Sequence, residues 1–284
     1  MLSVITHRGL DAEANHLYTE SSKEAFSYFL NAGYGVEFDI QITKDSIPVI
    51  SHDESLSRLT GKKELAINEI SAVDFSRTEL SNGHTITLTE LIELIKKTAS
   101  ENISAHALHL KYGNQNQAEL ETLVPYLYEL ANLPIILFDA KPSVAKYLKT
   151  QLPFLNLAAS VAHPSDINRY NEIVGGTLLS LEEIVQYTDI YSWVWLDEWD
   201  RIAENNEVKT LYNQKNFSFL KELGLKIAVV SPELHRTSPN LLGNESHEDA
   251  KNISTLEKRW LEIIDLAPDA ICTDYPYRIS KLIS

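Results

Sequence analysis

Cysteine is nearly missing from this sequence: Cys272 is the single one in 284 residues. One thiol cannot close an internal disulfide, so a cystine-stapled scaffold is excluded, and its setting in the apolar run AICTD marks it as a small buried hydrophobe. Positive charge is short as well. With 25 Lys and Arg against 40 Asp and Glu, the formal net charge is −15. That excess opposes attraction to nucleic acid or to an anionic membrane surface, so neither is expected as a partner. The expected partner is a small molecule, and a local basic pocket would suffice to hold a phosphate. Long apolar runs are lacking too, none approaching the roughly 18 residues of a membrane-spanning helix. MLSVITHRG carries no basic-then-apolar segment of the signal-peptide kind, which leads us to expect a cytoplasmic location. The N-x-S/T sequons at Asn102, Asn216, Asn244 and Asn252 then read as chance. No Ser/Gly-rich linker, low-complexity tract or repeat divides the chain, so one domain over residues 1–284 is expected. Nothing in the sequence sets an oligomeric state.

What is present is a repeated alternation of strand and helix. Apolar, β-rich segments recur at 3–7, 35–40, 107–111, 134–139, 157–162, 190–196, 226–231 and 269–274. Helical patterns lie between them. In SSKEAFSYFLNAG, Ser21 and Glu24 stand at capping-box spacing; TLTELIELIKK carries Leu88, Leu91, Ile92 and Ile95 on one stripe; NQAELETLVPYLYELAN reads helical despite Pro125; and NFSFLKELG ends on a capping Gly224. Eight such units of about 35 residues fit a single-domain (β/α)8 TIM barrel. A doubly wound open sheet is the weaker alternative, because no G-x-G-x-x-G follows the first strand. PVISHD (48–53) comes only a few residues after the second strand and predicts a β-hairpin extension there.

In such a barrel the active site lies at the C-terminal strand ends. Those ends carry His7 and Arg8, Glu37 and Asp39, His52 and Asp53, His109 and Lys111, Asp139, His163, Ser231 and Glu233, and Asp274. Glu37 and Asp39, two apart on one strand, share a face and stand close enough to bind one cation; the competing reading is a half-exposed strand with solvated acids. Histidines at neighbouring strand ends beside that pair suit proton transfer, one imidazole taking a proton while another gives one. Arg8 and Lys111 are donors suited to phosphate, or salt-bridge partners of the same acids.

The order of these residues resembles a known family. THRG at the first strand, ESSKEAF (20–26) and EFDIQITKDSIPVISHDESLSRLTG (37–61) resemble the glycerophosphodiester phosphodiesterase pattern of HRG, then E-N-T-x-x-A-F, then E-x-D-x-x-x-T-x-D-x-x-P-V-x-x-H-D-x-x-L-x-R-x-T. TITLTEL (85–91), HLK (109–111) and CTDYP (272–276) resemble its later segments. The resemblance implies a TIM-barrel hydrolase that cleaves a small phosphodiester substrate with one divalent cation, magnesium or calcium. It implies His7 and His52 as the general acid/base pair, Glu37 and Asp39 as metal ligands, and Arg8 and Lys111 as phosphate-binding residues.

The departures are as informative. The family's E-x-K glutamate, which completes its metal site, is here His109, and an imidazole there admits manganese or zinc. Three readings of His109 compete: a metal ligand, a hydrogen-bonding partner of water or phosphate, or the mark of a degenerate site. Ser21 and Ser22 replace the family's asparagine and threonine, and VVSPELH (229–235) replaces its tryptophan-threonine-x-asparagine, both in the region expected to choose substrate. WVWLDEWD (193–200) brings Trp193 and Trp195 to one face, either to stack on a substrate head group or to pack under a loop. The polar stretch 238–252 is either a mobile lid or a plain loop. Two alternatives to the hydrolase remain: a catalytically impaired barrel that binds a phosphorylated ligand, and a cyclising phosphodiester lyase.

Overall fold

Each of the apolar, β-rich segments becomes a strand in the computed structural model, which describes residues 2–13, 17–99, 104–202, 208–234 and 247–284. Asn102 and Asn244 of the sequons, His235, and residues 238–246 of the polar stretch lie outside the described residues. The strands are β1 (Ser3–His7), β2 (Gly35–Ile42), β3 (Pro48–Ile50), β4 (His106–His109), β5 (Ile135–Phe138), β6 (Asn156–Ala162), β7 (Leu178–Leu179), β8 (Trp193–Asp197), β9 (Lys226–Val230) and β10 (Ala270–Thr273). Eight of them form a closed parallel ring in the order β1, β2, β4, β5, β6, β8, β9, β10 and back to β1. β3 returns antiparallel against the end of β2, pairing Ile40 with Ile50, which is the expected hairpin. The two-residue β7 leans on β6 outside the ring and carries no sequence signal long enough to read.

Closure buries both faces of each strand. Val36, Phe38 and Ile40 of β2 join Leu108, Leu157, Val194 and Ile271 in the layer under the helices, while the alternate residues of the same strands point into the barrel. That interior is filled by contrast in size. Ala105, Ala107, Ala158, Ala228 and Ala270 leave room that Trp193, Trp195 and Phe138 take up, giving one packed cluster with Ile5, Val230 and Cys272. Cys272 is thus the buried small residue its setting suggested. Gly35 is required where β2 enters, because a Cβ there would stand 1.9 Å from the Ala105 carbonyl oxygen.

The helices form where the patterns place them. Helix Leu88–Thr98 buries Leu88, Leu91, Ile92 and Ile95 and opens on a Thr87/Glu90 capping box. Helix Gln117–Tyr128 accommodates Pro125. Helix Gln214–Glu222 stops before Gly224, whose φ of +77° lets the chain reverse. One start differs from expectation: Ser22, not Ser21, caps helix Lys23–Asn31, and Glu24 leaves the cap to bind His84. Ser21 is in the left-handed region at φ 57°, whereas Ser22 has the extended backbone usual at an N-cap. Among the described residues no helix is long and apolar enough to cross a membrane.

His106 opens β4 on the outer face, 2% exposed, and its Nδ1 accepts the Val36 backbone N–H at 3.2 Å. Burial pushes this imidazole down to about 4 from 6.5, so the folded chain resists a proton that the unfolded chain takes up. Stability is therefore lost as pH falls from 6.5 to 4, by about 3 kcal/mol on this account. His106→Asn keeps an acceptor for Val36 but does not titrate. In chemical denaturation it is expected to flatten the decline between pH 6.5 and 4 relative to the parent; an unchanged slope would remove His106 as its source.

Candidate active site

The C-terminal ends of all eight ring strands open onto one cavity of about 360 Å³. His7, Arg8, Glu37, Asp39, His52, His109 and Lys111 all line it. Register explains the convergence: His7 lies level with Glu37, and Asp39 with His109. Lys111 reaches the same space although β4 ends at His109, because the chain turns after Leu110 and the lysine heads a short 3-10 turn. His163 does not reach the cavity; it caps helix Pro164–Tyr170. Ser21 and Ser22 do not line it either, which corrects the expectation that they choose substrate.

Glu37 and Asp39 are 3% and 1% exposed, so the half-exposed reading of β2 fails. Two carboxylates side by side in such a place must be offset. For Asp39 they are: His109 Nδ1 is 2.7 Å from Oδ1, Lys111 Nζ 3.4 Å from Oδ1, and Arg8 Nε 3.3 Å from Oδ2. Burial alone would raise Asp39, but Lys111, the His109 hydrogen bond and Arg8 hold it well below the usual carboxylate range. Glu37 feels the charges of His7, Arg8 and His109, but they do not outweigh its burial and the neighbouring Asp39. Its Oε2 is buried without a hydrogen-bond partner, and burial together with the charge of Asp39 pushes the group up to about 7.

His109 lies between two carboxylates, with Nε2 2.8 Å from Asp139 Oδ2. Burial would lower this imidazole, but Asp139 and Asp39 raise it to about 9. One ligating atom from each of Glu37, Asp39 and His109 lies within 4.8 Å of the others, so a single ion can touch all three. The orphaned Glu37 oxygen and the donor set of two carboxylates and one imidazole fit a divalent cation.

The two remaining histidines are each tied through Nδ1 to a carboxylate of their own: His7 to Asp274 at 3.0 Å, His52 to Asp53 at 2.7 Å. Asp274 is fixed in turn by Glu233, which accepts its backbone N–H at 3.0 Å and the Thr273 hydroxyl at 2.5 Å. Asp53 passes to Arg58 at 2.6 Å, Arg58 to Glu20 at 2.6 Å, and Glu20 to Arg8 at 3.4 Å. This charge chain joins the hairpin histidine to the arginine beside Asp39. Arg8 takes part with a left-handed backbone, φ 55°, strain of the kind that functional sites hold in place through surrounding contacts. Sequence reading passed over Glu20 and Arg58, although both stand in the quoted motif segments.

Aromatic rings floor the cavity. His109 stacks on Phe138 with centroids 4.8 Å apart, and Phe138 on Trp195 at 4.0 Å. Trp193 lies deeper in the barrel cluster, whereas Trp195 and Trp199 face the cavity, so the two same-face tryptophans divide between packing and lining. After β9, the Ser231 hydroxyl donates to Glu233, which in turn accepts from the Asp274 backbone, and Val230 and Leu234 line the cavity.

Comparison with known proteins gives a consistent result. A family model described as the Glycerophosphoryl diester phosphodiesterase family matches residues 7–173. A glycerophosphodiester phosphodiesterase of Bacillus altitudinis is 32% identical over 108 residues, which are 35% of this chain and 42% of that relative's length. Among solved structures, a glycerophosphoryl diester phosphodiesterase of Parabacteroides distasonis superposes with a TM-score of 0.66 at 16% identity, covering 100% of this chain and 86% of that one. A phosphodiesterase of Oleispira antarctica, in complex with the product sn-glycerol-3-phosphate, gives 0.61 at 19% identity, covering 99% and 96%. At these identities the structural matches carry the fold.

Glu37→Gln removes the unpaired buried charge. A carboxyl raised from 4.5 to about 7 destabilises the folded chain increasingly as pH rises through that interval. In chelator, the variant is expected to melt several degrees above the parent at pH 8, and the difference to shrink as pH falls and vanish below about pH 4, where the carboxyl is protonated in both states. A lower melting temperature at pH 8 would contradict this.

Proposed function

The chain belongs to the glycerophosphoryl diester phosphodiesterase family, and we propose that it hydrolyses a small glycerophosphodiester to a phosphomonoester and an alcohol, with one divalent cation and a histidine pair as acid and base. The observation that carries this is the pairing of His7 and His52. Each has its Nδ1 on a private carboxylate, and both line the cavity that holds Glu37, Asp39, His109, Arg8 and Lys111. A carboxylate on Nδ1 holds a proton there and leaves Nε2 for exchange with substrate.

In this reading one histidine takes a proton from the attacking water and the other gives one to the departing alkoxide oxygen. Arg8, the strained donor beside Asp39, and Lys111, held by the His52 carbonyl at 2.5 Å, bind the phosphoryl oxygens and share the charge that develops on them. Glu37, Asp39 and His109 would hold the cation, which supplies Lewis-acid polarisation of the phosphoryl group when bound. An imidazole among the ligands favours manganese or zinc over calcium. Trp195, Trp199, Val230 and Leu234 supply apolar lining, against which the non-reacting part of the diester packs.

His7→Asn and His52→Asn each retain a donor for the carboxylate at Nδ1 and lose the proton-transferring nitrogen. Both are expected to lower kcat by about 10²-fold or more, with melting temperatures within a few degrees of the parent. Release of glycerol 3-phosphate from glycerophosphodiesters measures it, and full turnover by either variant would sink the assignment.

A further inference from the structure

His109 places an imidazole where the resemblance expects a third carboxylate, and the structure supplies the missing carboxylate one strand further round. Asp139 follows directly on β5, and its Oδ2 lies 2.8 Å from His109 Nε2, on the opposite side of the ring from Asp39. Its placement is over-determined. The backbone is left-handed, φ 62°. Its N–H is donated to Ser160 Oγ at 3.2 Å, and its carbonyl accepts Gln115 Nε2 at 2.6 Å. Its other carboxylate oxygen takes the Ser160 hydroxyl. Phe138 stacks beneath the imidazole and sets the plane of the ring between the two acids.

We propose that Asp139 is the positioning residue that makes His109 a cation ligand: by accepting from Nε2 it directs Nδ1 toward Glu37 and Asp39, and it returns to the site the negative charge that an imidazole lacks. Carboxylates behind ligating histidines act this way, fixing tautomer and ring orientation, and their loss typically lowers metal affinity about 10- to 100-fold. The inference rests on the cation-dependent reading above and adds to it a residue that no ligand motif contains.

The test is calorimetric titration of manganese into the chelator-stripped 284-residue chain. Asp139→Asn suits the left-handed backbone and removes only the charge; it is expected to weaken manganese binding at least tenfold, and Ser160→Ala, which loosens Asp139, to weaken it several-fold. A purely structural ion pair would not predict the next result. In a His109→Glu background the introduced carboxylate faces Asp139 as a like charge, so adding Asp139→Asn is expected to tighten binding, reversing the sign of its effect. The proposal is overturned if Asp139→Asn changes manganese affinity less than threefold, if its effect has the same sign in both backgrounds, or if the parent binds no manganese. Failure here with glycerophosphodiester turnover intact leaves the hydrolase reading standing. The predicted binding pattern without turnover overturns the hydrolase reading alone.

Discussion

The structure depends on one electrostatic constraint: two carboxylates, Glu37 and Asp39, are buried beside each other on β2 at the mouth of a closed barrel. An unpaired ion in such a place costs several kcal/mol, so the surroundings must supply positive charge within a few ångströms or the group must stay protonated. Both solutions appear. Asp39 receives Arg8, Lys111 and His109, while Glu37 Oε2 is buried with no hydrogen-bond partner among the described residues and the group is pushed up to about 7. The asymmetry makes Glu37 the point where a bound cation brings the largest gain. Arg8, with its left-handed backbone, and Lys111, carried past the end of β4, both bring positive charge to within 3.4 Å of Asp39.

The barrel makes that arrangement available and rigid. Parallel closure sends eight strand ends to one opening, so residues hundreds of positions apart, such as His7 and Asp274, become partners. Packing inside the ring fixes the depth of the cavity: alanines on five positions admit Trp193, Trp195 and Phe138, and the upper two of those rings form the floor on which His109 stacks. The strand that fills the barrel thus also sets the plane of the imidazole above it. Fold and site are coupled through Phe138, with Asp139 next in the chain.

Much of this was legible in the sequence, and the reasons are local. Each of the eight ring strands announced itself by a short β-rich apolar run, and in β2 the E-x-D spacing on a strand with apolar residues between them gave both faces at once. The hairpin followed from the short interval between Ile42 and Pro48. The convergence of the seven nominated residues followed from placing each at a strand end. What escaped depends on contacts without a spacing rule. The link from His52 through Asp53, Arg58 and Glu20 to Arg8 joins loops from three places in the chain. Asp139 was visible as a strand-end acid, but its approach to His109 is set by strand adjacency and by a backbone conformation that propensity does not reveal. Ser21 and Ser22 were placed by motif position alone, which does not show that Ser22 caps helix Lys23–Asn31 and that neither side chain lines the cavity.

The most direct measurement of the central claim is phosphorus NMR of the purified protein, stripped with chelator, incubated with a panel of glycerophosphodiesters and then with magnesium, calcium, manganese or zinc. The account predicts silence in chelator and, on addition of the cation, a growing phosphomonoester resonance that is strongest with manganese or zinc. A cyclic-phosphate resonance would contradict the hydrolytic step. Turnover undiminished in chelator would contradict the claim that the buried carboxylates of β2 are there to hold a cation.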